Sequence, residues 1–392
     1  MRPSKWKFFA LAATAILVAC GGGSDSPRTT AVVVMGDSLA DSGVFTGIPT
    51  FGRIFSVQGS SSEPNPLWTE RTAVLAKVPQ LCNFYKFTGA TFALNATAGC
   101  TSFAIGGGRI NLLPANGGLA SPQSIVKQLQ DAAAARASYG ARDLLLVDGG
   151  GNDAADLVGA FLRVSSDSGA AFNTVLTANS VLSQASVTAS LTADPTGAAV
   201  GSQYMTALAG TLFTAVKTNA LDKGAQRIAL LNMPDITHTP RFQMVLDGVA
   251  AASGGGATGA TARAQAQGLF RVWINAFNTQ LATLAAGENR IALVDFFAGF
   301  NAQMASPANF GLTNVTVPAC PPVGTGTDNL PIYNFQTCTA TALSAQTPPV
   351  GATGGVNWWQ TYAFSDGFHP TPLGHKLLAD TVQTKLTAVG WL

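Results

Sequence analysis

Four short apolar runs, at residues 31–35, 143–147, 227–231 and 290–294, constrain this chain more than any other feature, because each is rich in Val, Ile, Leu or Ala and each meets a turn. A run that is apolar at nearly every position has two faces to bury, which is the signature of a strand inside a parallel sheet. Between the runs lie helix-like stretches at 121–137, 203–222, 262–286 and 372–389. Strand–helix alternation of this kind predicts an α/β chain: a three-layer α/β/α sandwich around a mostly parallel, flavodoxin-like central sheet. The Gly/Ala-rich stretch 248–261 reads as a flexible surface connection. Residues 48–66 and 306–357, loaded with Gly, Pro, Ser, Thr and Asn, read as long loops. Loops beyond the carboxyl ends of the strands are where an open α/β sheet builds its crevice, so Phe51, Ile54, Phe55, Trp358 and Trp359 are either pocket walls or seals over satellite hydrophobic clusters.

Hydrophobic content of 47% excludes general disorder, and only 11% of residues are charged, with a net charge of +2 and no dense basic stripe. A surface of that kind cannot neutralise a row of phosphates, so nucleic acid is not an expected partner. The first residues read as an export signal: Arg2, Lys5 and Lys7 precede an apolar run from Phe8 to Val18, too short to span a bilayer comfortably. The run ends in Leu17-Val18-Ala19-Cys20, which resembles a bacterial lipobox, so residues 1–19 are expected to be a lipoprotein signal peptide, with Cys20 lipidated and 20–30 a flexible tether; an ordinary cleaved signal is the alternative. One domain over 31–392 follows. Gly21, where an inner-membrane retention signal presents Asp, points to the outer membrane, with a periplasmic or secreted protein as the other outcome.

Setting Cys20 aside leaves Cys82, Cys100, Cys320 and Cys338. An even number in an exported chain implies two disulfides. Of the three pairings, Cys82–Cys100 and Cys320–Cys338 are preferred, because each local loop loses on the order of 3 kcal/mol of unfolded-state entropy on closure. No Cys-x-x-Cys spacing occurs and the chain has three His, so zinc is not expected.

Four segments carry chemistry. Val32-Val33-Val34-Met35-Gly36-Asp37-Ser38 places a hydroxyl at a strand end where a helix is expected to begin, although Asp-Ser there is also an ordinary cap. Ser365-Asp366-Gly367-Phe368-His369-Pro370 sets a carboxylate three residues before an imidazole, the spacing of an oriented general base; a helix-entry turn is the bland alternative. His238 and His375 lack that spacing. Asp148-Gly149-Gly150-Gly151-Asn152-Asp153 follows the second run and offers an amide donor, and Ser102-Phe103-Ala104-Ile105-Gly106-Gly107-Gly108 offers backbone N–H groups. The glycine runs lack the Lys and Ser/Thr of a phosphate-binding loop. Asp37, Asp41, Asp148, Asp153 and Asp156 read as caps and turn bonds, since no regular cation loop is present.

Taken together, Gly36-Asp37-Ser38-Leu39, the Gly107 region, Gly150-Gly151-Asn152-Asp153 and Asp366-x-x-His369 resemble, in order, the four blocks of the SGNH/GDSL hydrolase family. Leu230-Leu231-Asn232-Met233-Pro234-Asp235, Phe277-Asn278-x-x-Leu281 and Leu293-Val294-Asp295 are similar to its GDSL lipase/esterase branch. The resemblance implies the SGNH hydrolase fold, Ser38 as nucleophile, His369 as base and Asp366 as its orienter. It also implies an oxyanion hole of Ser38, Gly107 and Asn152, with Gly106 the alternative to Gly107 because Ser102 stands where the second block often has Asn. The implied activity is serine esterase or lipase action on a carboxylic ester through an acyl-enzyme, with no metal or cofactor. Carbohydrate O-acetylesterase and a non-catalytic ligand-binding surface lipoprotein are the alternatives.

Overall fold

The computed structural model describes residues 28–46, 55–60, 64–78 and 81–392. Cys20, the signal and most of the tether, together with Phe51 and Ile54, lie outside the described residues. The apolar runs form strands: β1 (Ala31–Met35), β4 (Asp143–Val147), β5 (Arg227–Leu231) and β6 (Ile291–Val294), hydrogen-bonded in the order β1-β4-β5-β6 and all parallel. Two small antiparallel hairpins stand apart from this sheet, β2 (Tyr85–Phe87) with β3 (Phe92–Leu94), and β7 (Pro322–Thr325) with β8 (Pro331–Tyr333).

Alternation of side chains along a strand divides the core into two. Val33, Met35, Leu145, Val147, Ile228 and Leu230 pack with the helices Ile125–Arg136, Ala198–Asn219 and Gly256–Ala285. Val32, Val34, Leu144, Leu146, Ala229 and Leu231 pack with the helices Trp68–Leu75, Phe296–Ala305 and Pro372–Ala388. The result is the three-layer α/β/α sandwich expected from the alternation. On the free edge of β1, residues 101–105 run alongside it: Val34 N–H donates to Thr101 O at 2.9 Å and Phe103 N–H donates to Val34 O at 2.7 Å. Counting this irregular strand, the order is the flavodoxin-like 2-1-3-4-5, whose direction reverses at β1. The carboxyl ends of 101–105, β1 and β4 therefore open into one crevice.

Three expectations need correction. Residues 248–261 are not a flexible connection, because the helices Pro240–Ala252 and Gly256–Ala285 occupy nearly all of them. Alanine is the strongest helix former, and Gly259 lets the two helices approach so closely that a Cβ there would lie 2.5 Å from Ala250 O. No helix begins at Ser38 either. Asp37 Oδ1 accepts the Leu39 N–H at 3.0 Å, a single turn closes over 37–41, and Asp41 Oδ1 then captures the N–H groups of Gly43 and Val44, so the chain cannot continue as a helix. The stretch 306–357 is less loop-like than its composition implies, since it holds the β7–β8 hairpin and the helix Ala340–Ser344.

Both disulfides pair as preferred, Cys82 with Cys100 and Cys320 with Cys338. The second anchors a separate buried cluster with Val57, Leu343 and Tyr362, and it contains Trp358 and Trp359. Those two indoles seal this cluster, with their N–H groups donating to Leu343 O and Ser344 Oγ.

Candidate active site

The segment before the last helix folds onto itself. Ser365 N–H donates to His369 O at 2.7 Å, and Ser365 Oγ–H is 2.9 Å from the same oxygen. Within this loop Asp366 Oδ1 accepts the N–H groups of Phe368 and His369, at 2.7 and 2.6 Å, which leaves Oδ2 facing His369 Nδ1 at 2.8 Å. The other ring nitrogen, Nε2, lies 2.9 Å from Ser38 Oγ across 331 positions of sequence. The loop is braced from behind, because Ala319 and Cys320 donate their N–H groups to Phe364 O and Ser365 O, at 2.9 and 2.8 Å, so the Cys320–Cys338 region acts as its backing.

Charge in this row is tuned by burial and contact. Burial alone raises the Asp366 carboxyl, but the His369 charge and the hydrogen bonds from the ring and the two N–H groups outweigh it, holding the group below the usual carboxylate range. Burial alone lowers the His369 imidazole. Asp366 and, more weakly, Asp37 overcome that and raise it above 6.5. Asp37 is itself raised by burial, against the pull of Leu39 N–H, His369 and Arg109. Asp148, buried beside it, is raised well above 3.8 by burial and then by the charge of Asp37. Its carboxyl explains Gly36, where a Cβ would lie 1.6 Å from Asp148 Oδ1.

The glycine loop 106–108 is fastened by side chains. Gln123 Nε2–H donates to Gly106 O at 3.0 Å, Arg109 Nη1–H to Gly107 O at 2.6 Å, and Asn152 Nδ2–H to Gly108 O at 3.0 Å. Arg109 is fixed in turn by a two-pronged pair with Asp156, at 2.6 and 3.1 Å. Gly106 N–H is committed to Asp41 Oδ2 at 2.8 Å. Neither the Gly107 nor the Ser38 N–H has a hydrogen-bond partner among the described residues. Gly107 has φ +75°, a conformation L side chains rarely adopt. Asn152 also reaches Asp37 Oδ2, at a longer 3.3 Å.

Of the other residues read from the sequence, Phe55 packs against His369 at 5.2 Å between ring centroids. His238 lies 3.6 Å from Asp235 with its ring 6.5 Å from that of Phe300, and His375 is buried on the last helix; the imidazole that contacts Ser38 Oγ is His369. Asp153 accepts the N–H groups of Ile110 and Asn111, at 3.0 and 2.7 Å, and burial raises it to about 6. Several contributors were not anticipated: Arg109 and its partner Asp156 as a unit, Gln123, Phe335 at 5.7 Å from the His369 ring, and a recess walled by Phe296, Phe300, Phe364 and Phe368. Phe296 and Phe300 stand at i and i+4 just past a strand end, a signal that was available; Arg109 belongs to no motif.

A parallel α/β/α sandwich with a hydroxyl, an imidazole and a carboxylate in register at the switch point of its sheet belongs to the hydrolase class of α/β folds. Residues 32–382 match the model of the GDSL-like lipase/acylhydrolase family, and the chain belongs to that family. Membership makes it a hydrolase of ester substrates in the broad sense. No curated protein matches the chain.

Proposed function

We propose that the protein is a serine esterase that cleaves carboxylic esters through an acyl-enzyme. The observation that carries this reading is the unbroken contact Asp366–His369–Ser38, at 2.8 and 2.9 Å. His369 Nε2 takes the proton of Ser38 Oγ as that oxygen attacks the ester carbonyl, and Asp366 steadies the imidazolium. The N–H groups of Ser38 and Gly107 receive the oxyanion. Asn152 joins them by giving up its long bond to Asp37 while the short one to Gly108 holds the side chain in place. Collapse breaks the bond to the alcohol oxygen, which leaves with the proton from Nε2. Water, deprotonated by the same nitrogen, then attacks the acyl-enzyme and releases the acid.

Ser38→Ala tests the reading. Turnover of 4-nitrophenyl acetate should disappear while the circular dichroism spectrum and melting temperature stay put; turnover at the wild-type rate would remove Ser38 as the nucleophile and end the proposal, and no turnover by the folded wild type would favour a ligand-binding role. We also propose export with lipid attachment at Cys20, carrying the enzyme to a membrane surface as an outer-membrane lipoprotein. No described helix is long and apolar enough to cross a membrane. Labelled palmitate should enter the full-length chain expressed in a bacterium and not its Cys20→Ala variant; no label in either would leave ordinary secretion.

A further inference from the structure

The recess beside Ser38 has polar lining groups and an aromatic floor. Ser38, Asn152 and His369 line it together with Leu39, Ile236 and four phenylalanines (Phe296, Phe300, Phe364 and Phe368), and the buried Asp37 and Asp148 also border it, around a cavity of about 110 Å³. The floor is part of the core. Phe296, Phe300 and Phe364 are each less than a tenth exposed and pack edge to face, with ring centroids 5.9 Å apart for Phe296–Phe300 and 6.1 Å for Phe300–Phe364. Rings held this way do not swing aside for a longer guest, since cores are close-packed and resist displacement.

Resting on the acyl-enzyme reading, we infer that this recess is the acyl site and that it selects short acyl groups, from acetyl to about butyryl. The acyl group stays on Ser38 after the first step, whereas the alcohol must leave before water can enter. A small recess backed by core rings suits the group that stays, and the open side of the site suits the one that departs. Size then sets the limit. An apolar cavity of roughly 150 Å³ admits benzene, with its six heavy atoms, so about 110 Å³ admits roughly four. An octanoyl chain would have to lie outside, its apolar surface in water.

The experiment is a series of 4-nitrophenyl esters from acetate to palmitate on the purified protein, with Phe300→Ala and the milder Phe300→Leu beside wild type. Wild type should show its highest kcat/KM between acetate and butyrate and fall at least about 100-fold by octanoate, the loss of roughly 3 kcal/mol of transition-state binding. Both variants should move the optimum toward longer chains, Phe300→Ala further. Wild type that hydrolyses octanoate or longer esters as fast as butyrate overturns the inference while leaving the esterase reading intact. Failure to hydrolyse any ester, with no Ser38-dependent capture of a fluorophosphonate, overturns both.

Discussion

Two stretches of three glycines look alike in the sequence and differ in how their surroundings hold them. Gly106-Gly107-Gly108 has each of its carbonyls held by a side chain, from Gln123, Arg109 and Asn152, and a Cβ on Gly106 would lie 2.0 Å from the Phe55 ring. Gly254-Gly255-Gly256 links two helices, and a Cβ on any of the three would meet nothing within 4 Å. Both use positive φ, at Gly107 and at all three of the second set. In the linker, glycine serves only to turn the chain. By the site it also permits close approach, and the surrounding side chains fix the loop so that the Gly107 N–H is left without a hydrogen-bond partner among the described residues. A donor fixed in advance stabilises developing charge without having to reorganise, which is the part we propose for Gly107 and not for the linker glycines.

The largest expected effect lies in the row of groups that the fixed loop faces. Asp366→Asn should keep the fold and lower kcat by about 10⁴-fold, as removal of the orienting carboxylate does in the general triad. The same variant should move the pH profile. A general base works only when neutral, and Asp366 raises His369, so wild-type kcat/KM should climb with pH through a midpoint above the ordinary 6.5 and be lost as acid protonates the ring. In Asp366→Asn that midpoint should drop; an unchanged midpoint would detach His369 from Asp366.

Next in size, Gly107→Ala should cost about 10²-fold in kcat by displacing one oxyanion donor, with KM for a short ester nearly unchanged. Arg109→Met should cost less, about tenfold, since it frees the Gly107 carbonyl while leaving the N–H in the neighbourhood; Arg109→Lys should recover little, because a lysine cannot hold Asp156 and Gly107 with one fork. Steady-state kinetics on the three variants would sharpen the contrast, and equal activity in all of them would break it. The smallest effect belongs to the linker. Gly254→Ala, at φ +89°, should lower stability by about 1 kcal/mol through strain alone and leave kcat at the wild-type value.

How much of this was legible depends on how local each signal is. The four strands of the sheet could be read because most of their residues are buried, on both faces in β4 and β5, and they are hence apolar at nearly every position. The helices between 151 and 193 escaped, because they are short and small-residued; Gln184–Ala193 buries only Val187 and so shows little periodicity. The helix start at Gly256 was masked by Gly254, Gly255 and Gly256, which turn the chain between two helices, and by Gly259, which lets those helices approach. Ser38, Asp366 and His369 could be singled out because each sits in a short segment with its own turn chemistry. The acyl recess could not, since Ile236, Phe300 and Phe368 meet only after β5, β6 and the final loop have been laid side by side. Arg109 was invisible for a related reason: its partner Asp156 and the carbonyl it holds mean nothing until residues 101–105 lie against β1.

The most direct measurement is covalent capture. The purified protein would be treated with an alkyl fluorophosphonate and digested, and the modified peptide identified by mass spectrometry. One adduct per chain, on Ser38, which forms more slowly as acid protonates the imidazole and is absent in Ser38→Ala, is the predicted result. An adduct on another residue, or a folded active enzyme that captures no probe, would contradict the account.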